Sequence, residues 1–117
     1  MNHTFKKFNL HGKKALITGA AGLLGIEHSA ALLECGATVI LTDISNRQLA
    51  ETKQKLKSKF QTANILVYEM DVSNSEAIRS VQNALHVQKI KIDILVNNAA
   101  IDPKVKDDSG VIETSRL

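Results

Sequence analysis

Three glycines at intervals of three, Gly19, Gly22 and Gly25, follow the apolar run Ala15-Leu16-Ile17 and open a stretch with helical spacing. In Thr18-Gly19-Ala20-Ala21-Gly22-Leu23-Leu24-Gly25 the residues without side chains fall where a strand turns into a helix. Such a turn can press its backbone against a diphosphate, and the first N–H groups of the helix, with its partial positive charge, then face the anion. Asp43 stands eighteen residues past Gly25, at the end of the next apolar run. A carboxylate there can accept hydrogen bonds from both hydroxyls of an adenosine ribose and would repel a 2′-phosphate, which points to NAD rather than NADP. Taken singly, the glycines fit an ordinary tight turn and Asp43 fits a helix cap or loop acid. Arg47, which could attract a 2′-phosphate, lies one turn into a polar helix where a solvated role is the simpler one.

Four apolar runs, Ala15–Thr18, Thr38–Thr42, Ile65–Met70 and Ile92–Asn97, alternate with three segments of helical length. The order is βαβαβαβ, which predicts parallel strands, right-handed crossovers and the spatial order 3-2-1-4 of a doubly wound α/β sheet. The first helix is expected over about Gly22–Glu34 and broadly buried, with Leu24, His28, Ala31 and Cys35 on one stripe and Ile26, Ala30 and Leu33 on another. Gly36 then ends it. The second helix should start after Ser45 or Asn46 and turn Leu49, Leu56 and Phe60 to the sheet. For the third, Ser73 with Glu76 three residues on matches a capping box ahead of Ile78, Val81 and Leu85. Cys35 reads as a small buried hydrophobe.

The 117 residues, 44% hydrophobic and 23% charged, suit one globular domain or part of one. A net charge of +3, spread thinly, and four aromatic residues leave no groove for nucleic acid. The single cysteine excludes a disulfide framework and suits a reducing cytoplasm. No run approaches the roughly eighteen apolar residues of a membrane span, and Met1–Asn9 lacks the apolar core of a secretion signal. His3, His11, His28 and His86 lack metal-ligand spacing. Beyond Ala100 the periodicity fails, and 101–117, with the one proline, reads as a loop leading towards a C-terminal half that the sequence does not contain. The chain is therefore expected to be the N-terminal part of a single dinucleotide-binding domain, with an apolar flank at its fourth strand.

Leu10-x-Gly12-Lys13-x-Ala15-Leu16-Ile17-Thr18-Gly19, the glycine turn, Asp43, the pair Asp71-Val72 and Asn97-Asn98-Ala99-Ala100 together resemble the short-chain dehydrogenase/reductase family. The resemblance runs from Leu10 to about Ala100 and implies an NAD(P)-dependent oxidoreductase on a Rossmann sheet. It further implies that the Asp71 carboxylate and the Val72 backbone meet the adenine, and that Asn98, Ala99 and Ala100 pass close to the nicotinamide-side ribose. The expected cofactor contacts are Gly19, Gly22, Leu23, Leu24, Gly25, Asp43, Ile44, Asp71, Val72, Asn98, Ala99 and Ala100. Asn97 serves equally well as a tie between strands.

Two positions depart from the family pattern. Leu23 takes the place of its usual middle glycine, a spacing more like the branch that acts on nucleotide sugars, and Ala100 replaces the final glycine of Asn-Asn-Ala-Gly. The family's Tyr-x-x-x-Lys pair is also absent, since Tyr68, the one tyrosine, has Val72 four residues later. No catalytic residue is therefore assigned. The expected function is the cofactor-binding part of an NAD-dependent oxidoreductase, acting in its full-length form on a carbonyl or alcohol and expected as a homo-oligomer. A non-catalytic nucleotide-binding module and a nucleotide-sugar epimerase or dehydratase are the alternatives, the latter disfavoured by the Asn97–Ala100 tract.

Overall fold

The computed structural model describes residues 8–99. Four strands and three helices alternate: β1 (Lys14–Thr18), α1 (Leu23–Glu34), β2 (Thr38–Asp43), α2 (Asn46–Lys59), β3 (Ile65–Glu69), α3 (Ser75–Val87) and β4 (Ile94–Asn97). The strands form one parallel sheet in the order β3-β2-β1-β4, the Rossmann arrangement expected from the alternation. Leu16 sits beside Ile40 on β2 and Leu95 on β4, and Asp43 beside Glu69 on β3.

A parallel sheet covered on both faces needs strands that are apolar on both, which is why Val39, Ile40 and Leu41 are fully buried in succession. One face carries Ala15, Ile17, Val39, Leu41 and Ile65 under Leu33 of α1 and Leu49 and Leu56 of α2. The opposite face carries Leu16 and Ile40 under Val81 and Leu85 of α3, with Met70. Each Leu or Ile so buried contributes about 1.5–3 kcal/mol relative to exposure. At the edge, β4 only half-buries Ile94 and Val96 and leaves Leu95 63% exposed.

The first helix is buried less broadly than its composition suggests. Only Gly25, Ser29 and Leu33 are buried, while Leu24, His28 and Ala31 are exposed and Cys35 is half-exposed. Small residues on the contact stripe explain this: Gly25 lets α1 approach the Gly19–Ala20 backbone closely, and Ser29 donates its hydroxyl to the Gly25 carbonyl at 2.8 Å rather than occupying volume. Cys35 is the C-cap residue of α1, ahead of Gly36 at φ +95°. Gly36 N–H donates to the Leu33 carbonyl and Ala37 N–H to that of Leu32, the pairing of a Schellman motif. Lys89 plays the same part after α3 at φ +61°, its N–H on the His86 carbonyl and that of Ile90 on the Leu85 carbonyl. The capping box expected from Ser73 is not used. Asn74 caps α3 instead, and the Ser73 hydroxyl donates to Asp71.

Candidate functional site

Parallel strands deliver their C-terminal ends to one edge of the sheet, so the turn after β1, Asp43 at the end of β2, Asp71-Val72 beyond β3 and Asn98-Ala99 beyond β4 share that edge. The glycine turn is built by three different demands. Gly19 has φ +63°, and a Cβ there would lie 2.9 Å from the Ala99 Cα. At Gly25 a Cβ would overlap the Gly19 carbonyl and come within 2.7 Å of the Ala20 Cα. Gly22 differs. Its φ of −80° suits any residue, and a Cβ there would meet nothing nearer than the Gly19 carbonyl at 3.5 Å.

The N-terminus of α1 is open in the same region. Gly22 offers no capping side chain, and the N–H groups of Leu23, Leu24 and Gly25 find no acceptor among the described residues. By contrast, Ser45 Oγ accepts from Gln48 N–H at 3.2 Å, and Asn74 Oδ1 accepts from Glu76 and Ala77 N–H at 2.9 and 3.2 Å. An uncapped helix end over a backbone clear of side chains suits an anion. Leu23 and Leu24, 77% and 59% exposed, stand at this end, and Ile44, 60% exposed, follows Asp43.

The Asp43 carboxylate is half-buried and held by three backbone donors. Its Oδ2 accepts from Ala21 N–H at 3.0 Å, and its Oδ1 from Ile44 N–H at 2.7 Å and Ser45 N–H at 3.3 Å. Arg47 points its guanidinium to Glu51, 3.3 Å away in an exposed pair. Beyond β3, Asp71 Oδ1 accepts from the Ser73 hydroxyl at 2.7 Å and the Ser73 N–H at 2.9 Å. The hydroxyl chiefly, and then the N–H, hold the Asp71 carboxyl below its ordinary value, against a smaller opposing effect of desolvation. Val72 is half-buried against the α3 side of the sheet.

Thr18 was not singled out by its type, yet it ties the site together. Its buried Oγ1 accepts from the N–H groups of Asn98 and Ala99, both at 2.9 Å, and donates to Asn97 Oδ1 at 3.2 Å. Asn98 Nδ2 also donates to the Gly19 carbonyl at 3.2 Å. Asn97 is thus a tie between strands, as one of its two expected roles required. Its signal in the sequence was the pairing of a hydroxyl residue at one strand end with two adjacent amides at another. Tyr68 lies in β3 on the α3 side, where its hydroxyl accepts from Gln88 Nε2 at 2.9 Å. Ala100 and 101–117, with the expectations placed on them, lie outside the described residues. Among the described residues no three His, Cys, Asp or Glu side chains gather as metal ligands, and no helix is long and apolar enough to cross a membrane.

The family model described as short chain dehydrogenase matches residues 13–115. The chain belongs to the short-chain dehydrogenase/reductase family. Among its relatives is the short chain dehydrogenase/reductase dpmpG of Macrophomina phaseolina, 37% identical over 93 residues, covering 80% of this chain and 53% of that protein. Among solved structures, NAD+-bound xylitol dehydrogenase matches with TM-score 0.69 and 31% identity over 79% of this chain and 35% of that one. The RhlG/NADP active-site complex of Pseudomonas aeruginosa matches with TM-score 0.75 and 30% identity over 90% of this chain and 40% of that one. The chain thus spans from a third to about half the length of four such curated relatives.

Proposed function

We propose that this short-chain dehydrogenase/reductase chain is the cofactor-binding part of an NAD-dependent oxidoreductase whose full-length form works on a small carbonyl or alcohol in the cytoplasm. The observation that carries the reading is the clear space at Gly22 under the open end of α1. Neither backbone conformation nor packing among the described residues calls for glycine there, whereas a diphosphate pressed against that backbone would. Bound, the dinucleotide supplies a nicotinamide that accepts or gives a hydride. The chain's own residues bind and orient it. The free N–H groups of Leu23, Leu24 and Gly25 would receive the diphosphate, and Asp43 the two adenosine ribose hydroxyls. Asp71 and Val72 would meet the adenine, with Ile44 beside it, and Asn98, Ala99 and Ala100 would run past the second ribose.

Preference for NAD rests on Asp43. A charge-assisted hydrogen bond of about 1.5–3 kcal/mol is lost when a 2′-phosphate replaces the hydroxyl, and two like charges are brought together. At about 1.4 kcal/mol per factor of ten, NAD should bind the full-length protein at least about tenfold more tightly than NADP. Calorimetric titration with each cofactor tests this, and equal affinities would remove the assignment. Known structures of the fold hold either cofactor, as the xylitol dehydrogenase and RhlG complexes illustrate. A Tyr-x-x-x-Lys pair encoded downstream of Leu117 would supply the proton-transfer group expected of the family. A stop codon directly after Leu117 would favour a non-catalytic nucleotide-binding module.

A further inference from the structure

Asp43 does more in the ligand-free protein than wait for a ribose. Its two carboxylate oxygens face three backbone N–H groups and no other donor among the described residues. Two of these, Ile44 and Ser45, are its immediate successors and fix the carboxylate at the start of the loop that leads to α2. The third, Ala21, is twenty-two residues away, inside the glycine turn and one residue before Gly22. Ala21 thus connects the carboxylate to the segment whose position sets where the α1 N-terminus points. The other tether of the turn to β2 is the bond from Ala20 N–H to the Thr42 carbonyl at 2.9 Å.

We infer that Asp43 is a positioning residue for the glycine turn, holding Ala21 and hence Gly22 at the end of β2 before any ligand arrives, and that this duty requires a carboxylate. The reason is the donor pattern. Both oxygens receive N–H groups, so position 43 must present acceptors on both sides. An asparagine has one carbonyl oxygen and one NH2 group, and whichever way its amide turns, an N–H donor meets an N–H donor. A carboxylate has room for about four such bonds, so three are filled and one site remains for a ribose hydroxyl; a second ribose hydroxyl would take the place of the longest of the three, the 3.3 Å bond from Ser45 N–H. The inference rests on the reading of the turn as a diphosphate cradle only for its consequence in binding; the clamp itself is a property of the free protein.

Amide hydrogen exchange in the unaltered, ligand-free, full-length protein tests the clamp directly. Ala21 should exchange at least about tenfold more slowly than Leu23 and Leu24, whose N–H groups have no acceptor among the described residues. Exchange of Ala21 as fast as Leu23 would overturn the inference without any variant having to fold. In Asp43→Asn, Ala21 protection should fall towards that of Leu23. Inorganic pyrophosphate, which has no ribose to offer Asp43, should bind that variant about threefold or more weakly through the loosened turn. Removing a nearby negative charge would by itself strengthen pyrophosphate binding, so unchanged or tighter binding with Ala21 still protected would also overturn it. NAD and NADP titrations of the unaltered protein decide the cofactor preference separately, so the two readings fail on different measurements.

Discussion

In α2 and α3 the residue before the helix, Ser45 or Asn74, turns its side chain back onto the free N–H groups, whereas before α1 stands Gly22, which has no side chain to turn. All three helices follow a strand and begin at the same edge of the sheet, so location does not explain the difference. A capping side chain contributes a few tenths of a kcal/mol over glycine, and the chain forgoes that stabilisation at one of the three described helices. Within the turn, neighbouring backbone excludes a side chain at Gly19 and Gly25, whereas at Gly22 a Cβ would meet nothing nearer than the Gly19 carbonyl at 3.5 Å; under the proposed function, what asks for glycine at Gly22 is a bound diphosphate.

The largest effect that would break this comparison belongs to Gly25. A methyl group at Gly25→Ala meets the Gly19–Ala20 backbone, which has no flexible end to give way, so the cost should reach or exceed the upper part of the roughly 1–3 kcal/mol range for overpacking. A denaturant midpoint within error of the unaltered protein would mean that α1 does not lie against Gly19 and Ala20 as described. Gly22→Asp should do the opposite. It gives α1 the cap that the other helices have and should leave stability level or raise it by a few tenths of a kcal/mol, while NAD binding falls by about tenfold or more. Melting and calorimetry on one preparation read both, and a protein that keeps its NAD affinity would show that no anion uses this end.

Asn74→Ala sharpens the contrast from the other side. It removes acceptors from two N–H groups and should cost about 1 kcal/mol by chemical denaturation, with NAD affinity changed far less than in Gly22→Asp. Lys89→Gly, at the far end of α3, should stabilise by up to about 1 kcal/mol, because a lysine at φ +61° is strained where Gly36 in the matching position after α1 is not.

The smallest effect concerns pH. Asp71 titrates below its ordinary value of 3.8 in the folded chain, so near that pH the unfolded chain binds more protons. The stability contributed by its bonds to Ser73 is therefore present above pH 3.8 and is lost as pH falls through the lowered value. In Ser73→Ala the Asp71 carboxyl should titrate closer to 3.8 by carboxyl-carbon NMR, and that part of the acid dependence should shrink.

The strand order and the shared edge were legible because buried parallel strands leave continuous apolar runs and each helix carries a capping or glycine signal at its ends. The start of α3 was not legible to the residue, since Ser73 and Asn74 are both good caps; in the fold Asn74 accepts from Glu76 and Ala77 N–H while Ser73 donates to Asp71. The burial of α1 was overstated because its apolar residues run all round the helix, while the contact is made by the small residues Gly25 and Ser29. Asp43 was legible as a carboxylate at the end of β2, but its bond to Ala21 depends on how the turn folds back, which spacing does not encode. The role of Thr18 is not legible from its type, because a hydroxyl at a strand end has many uses and only the partner strand shows which one applies.

The bonds from Thr18 to Asn98 and Ala99 join residues 80 and 81 positions apart. Leu16 finds its β2 partner Ile40 after 24 residues and its β4 partner Leu95 only after 79. Closing the longer loop costs about 1 kcal/mol more in chain entropy if the intervening segment is still unfolded, and non-local contacts of this kind slow folding. The first βαβ unit, with Asp43 bound to Ala21, should therefore assemble early, and the β4 side of the same cleft should close late. During synthesis the β2 side of the site would exist before the β4 side, and Thr18 would be the hydroxyl that registers the arrival of β4.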